Sequence, residues 1–150
     1  MRIREDKMVA LKITKGNNPH DIIEIYSKTA LKNNGETLYS TDIKFKSPKK
    51  IEKIIFYNTE DYNEFYYIAD VKKGIKNTYK NINEEIEKMK KLIPNEYQNE
   101  EKNSWLLISN IKKIEKEALK QYYAEVDGES LFDKVNNKRS NRLYFYCNSF

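Results

Sequence analysis

Residues Lys50 to Gly74 read KIEKIIFYNTEDYNEFYYIADVKKG, and the folding of this stretch decides the architecture. Two apolar runs flank a polar NTEDYN segment. The first ends in Phe56-Tyr57; the second passes through Phe65, Tyr66, Tyr67 and Ala69-Asp70-Val71. Aromatic and β-branched runs around turn-forming residues predict an antiparallel hairpin, roughly Ile51–Tyr57 and Glu64–Lys72. Period-two alternation puts Phe65, Tyr67, Ala69 and Val71 on a buried face, with Tyr66, Ile68 and Asp70 on the other. So many aromatics either fill a small core or also wall a pocket that stacks a flat ligand.

Working outward, Val9, Leu11 and Ile13 alternate in a strand over Val9–Thr14. Asn18 and Pro19 suit a helix start, and the helix that follows carries Ile22, Ile23, Tyr26 and Ala30 on one side. Gly35 supplies its stop. A strand over Thr37–Phe45 precedes the break at Ser47-Pro48. After the hairpin, NINEEIEKMKKLI has Ile82, Ile86, Met89 and Ile93 at helical spacing, with Pro94 ending it. SWLLISNIKKI then reads as a strand over Trp105–Ile111, EKEALKQYY as a short helix, DKVNNKRSN as a basic loop and Leu143–Tyr146 as a terminal strand. The order predicts one α+β domain over residues 1–150, a mainly antiparallel sheet curled into a small barrel with helices at its rim.

The chain has 150 residues, 34% of them charged, with a net charge of +5. The basic excess lies in the first and last thirds, so a polyanionic partner, DNA or RNA, fits the electrostatics. Cys147 is the single cysteine and His20 the single histidine, which excludes an intramolecular disulfide and a cysteine zinc cluster. No apolar run approaches a transmembrane span, and the chain reads as soluble and cytoplasmic, with no membrane partner.

Catalytic patterns are thin. Gly16, Gly35, Gly74 and Gly128 stand too far apart for a phosphate loop. Ser40, Thr41, Asp42 and His20 can be written as a nucleophile-and-base set, against the ordinary role of a solvated helix histidine. No metal or other cofactor is implied, and a non-enzymatic role is the better reading. Binding patterns are richer. Tyr39, Ser40, Thr41 and Asp42 place small hydroxyls beside an aromatic, suited to hydrogen-bonding a base edge; the competing role is ordinary strand residues. Tyr57 and Trp105 are candidate stacking platforms or core anchors. Lys12, Lys15, Lys138, Arg139 and Arg142 are candidate phosphate contacts.

The element order, with IIFYNT at Ile54–Thr59, IADV at Ile68–Val71 and SWLLISNIKKIEKEALKQYY later, resembles the PUA-like superfamily, particularly its EVE-like branch. The resemblance implies a small barrel, a ligand pocket beside the strand after the first helix, and recognition of RNA or of modified bases. VALKITK lacks the first-strand tryptophan common in EVE domains. GETLYS departs from the G-x-K pattern of the related ASCH group, weakening an RNA-processing hydrolase reading. A rival of another class is a small phage-type inhibitor that binds a host defence nuclease or nucleoprotein.

Overall fold

The computed structural model describes residues 5–14, 19–59, 64–76, 84–98, 102–136 and 142–150. Among these residues the architecture is mixed α/β: seven strands in one sheet, with few helices. In chain order these are β1 (Met8–Lys12), α1 (Pro19–Lys32), β2 (Glu36–Thr41), β3 (Lys53–Asn58), β4 (Phe65–Lys76), α2 (Glu84–Lys88), β5 (Ser104–Lys113), β6 (Tyr122–Ala124), α3 (Leu131–Asn136) and β7 (Tyr144–Ser149). The sheet order is β2-β5-β4-β3-β1-β7-β6. Every pairing is antiparallel except β1 with β3, which α1 and β2 separate along the chain.

The hairpin of the opening stretch forms as expected: Phe56 pairs with Tyr67, and Tyr57 with Tyr66. Both of its faces are covered. Val9, Leu11, Ile54, Phe56, Phe65, Ala69, Leu106 and Ile108 pack with Ile23 and Tyr26 of α1. Behind them Met8, Ala10, Ile55, Tyr57 and Tyr66 pack under Leu119, Leu131 and Val135. A third cluster joins Leu38, Ile75, Ile86, Ile93 and Trp105. A sheet buried on both sides explains why FYY is continuously apolar rather than alternating.

The sheet is strongly curled. Tyr39 of β2 and Phe56 of β3 have ring centroids 4.8 Å apart, although β5 and β4 lie between their strands. A flat sheet would separate those strands by about three spacings of ~4.8 Å. Beyond β2, Phe45 crosses the concave side to meet Tyr144 of β7 at 5.3 Å. The barrel expectation is nonetheless corrected. No ladder joins the end strands β2 and β6 among the described residues, so the sheet does not close.

Other expectations are corrected locally. The predicted 82–93 helix is α2 over Glu84–Lys88 followed by a 3₁₀ turn, Lys90–Leu92; its first residues lie outside those described. EKEALKQYY is a 3₁₀ helix, Lys116–Gln121, and its two tyrosines begin β6. The start of the basic loop belongs to α3, whose Leu131 and Val135 are buried. Thr37–Phe45 shortens to β2 ending at Thr41, because the Ser104 hydroxyl takes over the next groups: it donates to Ile43 O (2.7 Å) and accepts from Phe45 N (3.3 Å). The end of α1 is as read: Asn34 and Gly35 have φ of 58° and 85°, and Gly35 N donates to Ala30 O at 2.7 Å.

Candidate functional site

A cleft of about 550 Å³ opens between α1 and the ends of β1 and β2. Its formation follows from the local hydrogen bonding. At the end of β1, Asn58 Nδ2 donates to Ile13 O (2.9 Å) and Ile13 N donates to Tyr57 O (3.0 Å), which fixes Lys12 and Ile13 at one wall. At the opposite wall, Asn103 N donates to Thr41 O (3.1 Å) and Asn103 Nδ2 to Asp42 O (2.8 Å). Thr41 Oγ1 accepts from Ile43 N at 3.2 Å, turning the chain out of β2. Thr37 Oγ1 donates to Leu92 O at 2.8 Å, anchoring the segment that delivers Tyr97.

Three tyrosines line the cleft. Tyr26 stacks on Tyr97 with centroids 5.3 Å apart and planes 26° apart, and it tilts against Tyr39 at 5.1 Å. Burial, with Tyr26 beside it, pushes the Tyr39 phenol well above its ordinary range, against a hydrogen bond with the Thr41 side chain; Tyr39 is a neutral wall at any physiological pH. The charged groups lining the cleft include Lys12, Asp21, Asp42 and Lys102. Lys102 Nζ lies 3.3 Å from Asp42 Oδ2, and its side chain is only 12% exposed, so its aliphatic stem is packed while its cation stays at the cleft. Aromatic faces, a hydroxyl and an ion pair in one concave site can stack a planar ring and hydrogen-bond its edge.

Five of the residues named from sequence converge here: Lys12, Tyr39, Ser40, Thr41 and Asp42. Ser40 participates through its backbone. Its N–H donates to Tyr26 Oη at 3.4 Å, on the edge of β2 that faces away from β5. Alternation turns its side chain toward Leu38 and Trp105, where the buried hydroxyl has no partner among the described residues. Tyr57 and Trp105 are core instead, 2% and 3% exposed, in the two clusters behind the concave face. Tyr39 and Tyr57 are also on separated strands, since β5 and β4 stand between β2 and β3. Lys15, Lys138 and Arg139 lie outside the described residues, as does the His20 side chain. Arg142 lines a second cleft of about 630 Å³, next to the first.

Sequence reasoning missed Tyr97 and Lys102 as site residues. Both sit in polar NEYQNEEKN, which carries no periodicity; only the closeness of Tyr97 to Pro94 hints at an anchored turn. Tyr26 was legible as an inward helix residue but not as a cleft wall.

No helix among the described residues is long and apolar enough to cross a membrane. No protein-family model, curated protein or solved structure matches the chain.

Proposed function

We propose that this chain is a nucleic-acid-binding module whose first cleft receives one single-stranded or flipped base, ordinary or modified. The observation that carries the reading is the meeting of Tyr26, Tyr39 and Tyr97 with Thr41, Asp42, Lys102 and the β2 edge in one cleft of about 550 Å³. That volume lies within the range of small-ligand sites, about 300–1,000 Å³. Tyr97 supplies a stacking face, and Thr41 with the Ser40–Asp42 backbone meets the base edge. Lys12 lies where a phosphate would approach, and the net charge of +5 favours a polyanion. In this reading the curl around Tyr39 and Phe56 is an open form of a PUA-like barrel, and the role is binding rather than catalysis.

The test is affinity for matched oligonucleotides, with and without modified bases, at low and moderate salt. Tyr97→Ala should lose one base stack, about 1–3 kcal/mol, with a smaller thermal loss than Tyr57→Ala or Trp105→Ala, whose rings are core. An absence of binding to any DNA or RNA at low salt refutes the proposal. Capture of a protein from lysate that survives nuclease treatment would then point to the inhibitor reading.

A further inference from the structure

The second cleft shares Ile43 and Leu143 with the first, so the two form neighbouring halves of one groove. Their chemistry differs. The first half has three tyrosines, and its named charges balance, Lys12 and Lys102 against Asp21 and Asp42. The described lining of the second half has Lys44 and Arg142, both exposed, and one carboxyl, Glu125, with the Asp6 carboxyl close to it. Glu125 is 4% exposed. Its Oε1 accepts from Asn148 Nδ2 (2.9 Å) and Asp6 N (3.2 Å), while its buried Oε2 meets no donor among the described residues. Burial and the neighbouring Asp6 carboxyl bias the Glu125 carboxyl toward its neutral form, which does not repel an incoming anion. Tyr144 and Tyr146 form the aromatic wall of this half, edge to face at 5.8 Å, with Phe45 packed against both.

A neutral aromatic half beside a cationic aromatic half matches the alternation of base and phosphate along a single strand. We infer that the second cleft is the subsite for the adjoining phosphodiester and its nucleotide, with Lys44 and Arg142 holding the phosphate and Tyr144 and Tyr146 facing the next sugar and base. The inference rests on the base-binding reading of the first cleft and extends it: the recognised unit is a dinucleotide, not a nucleoside.

The experiment is backbone-amide NMR mapping with the four ribonucleosides and the matching dinucleoside monophosphates. Nucleosides should shift Tyr39–Ile43 and Tyr97 alone. Dinucleotides should also shift Lys44 and Tyr144–Tyr146, and bind roughly tenfold more tightly through the added charge-assisted hydrogen bonds. The Lys44→Ala, Arg142→Ala double variant should bring dinucleotide affinity down to the nucleoside level and remove the weakening of dinucleotide binding by added salt. Unchanged nucleoside binding by that variant shows that it is folded. Dinucleotide shifts confined to the first cleft, with an affinity that the double variant does not alter, overturn the subsite and leave the base cleft standing. Shifts at neither cleft overturn both.

Discussion

Gly74→Ala is the sharpest perturbation of the architecture. Gly74 lies in β4 opposite Leu106, beneath the 3₁₀ turn Pro48–Lys50 that links β2 to β3. A Cβ there would sit 1.9 Å from Pro48 O and 2.3 Å from Pro48 C. Real Cβ contacts essentially never fall below 3.0 Å, so the carbonyl must retreat by at least about 1.1 Å, the difference from 1.9 Å. The obstruction is backbone, not a side chain that can swing away. Pro48 O also accepts from Ile51 N at 3.1 Å, a bond that steers Ile51 into the concave core, so the retreat strains that turn. Overpacking costs about 1–3 kcal/mol, and a weakened hydrogen bond about 0.5–1.5 kcal/mol. Against these stands about 0.4–1 kcal/mol gained from a stiffer unfolded chain. The terms combine to a loss of about 0.5–4 kcal/mol, centred at about 2, which at the centre is about 4–8 °C in Tm for a chain of this size. Thermal circular dichroism measures it, with Gly35→Ala as the control. Gly35 has open space around its missing Cβ and a φ of +85°, so its cost is conformational strain alone. A Gly74→Ala protein as stable as the wild type would refute the packing of the Pro48 turn on β4.

Two further outcomes follow from buried groups. Burial, aided by the Asp6 carboxyl, raises the Glu125 pKa above its ordinary value, so the folded state binds its proton more tightly than the unfolded chain. That contribution is full below the unfolded pKa of about 4.5 and is lost as pH rises through the raised folded value; Glu125→Gln should remove this fall and match or exceed wild-type stability at pH 7 in paired pH-dependent melts, and a variant with the unaltered pH profile would refute the assignment. Cys147 is fully buried, with burial pushing its thiol up to about 12, so a thiol-reactive dye should label it only after denaturation; rapid labelling of the native protein would contradict the packing of β7 against β6.

Much of the fold was legible because the hydrophobic period carries it. The hairpin, the first helix with its Gly35 stop, and the positions of six strands all follow from alternation and turn chemistry. The seventh strand, Tyr122–Ala124, was not legible: three residues cannot display a period, and they pair only because β7 passes alongside. Closure was misjudged for a related reason. Local pattern shows that a strand has an inward face, but not whether its sheet meets its own far edge.

The site divides along the same line. Tyr39, Thr41 and Asp42 come together at the cleft because β2 and the turn after it hold them within one short segment. The sequence leaves Tyr57 and Trp105 open between stacking platform and core anchor, because an aromatic in a strand has the same signature whether it lines a cleft or fills a core. What separates them is sheet order: β5 and β4 stand between β2 and β3, and Tyr57 points to the face opposite Phe56. Trp105 sits directly across from Ser40, and that pairing sends both side chains away from the concave face. Trp105 Nε1 and Ser40 Oγ are both buried without a partner among the described residues, a local cost that the surrounding packing of Leu38, Ile75, Ile86 and Ile93 must offset. The aromatic wall of the cleft is therefore built by Tyr39 with Tyr26 of α1 and Tyr97 of the turn after Pro94, which meet only once the sheet has curled.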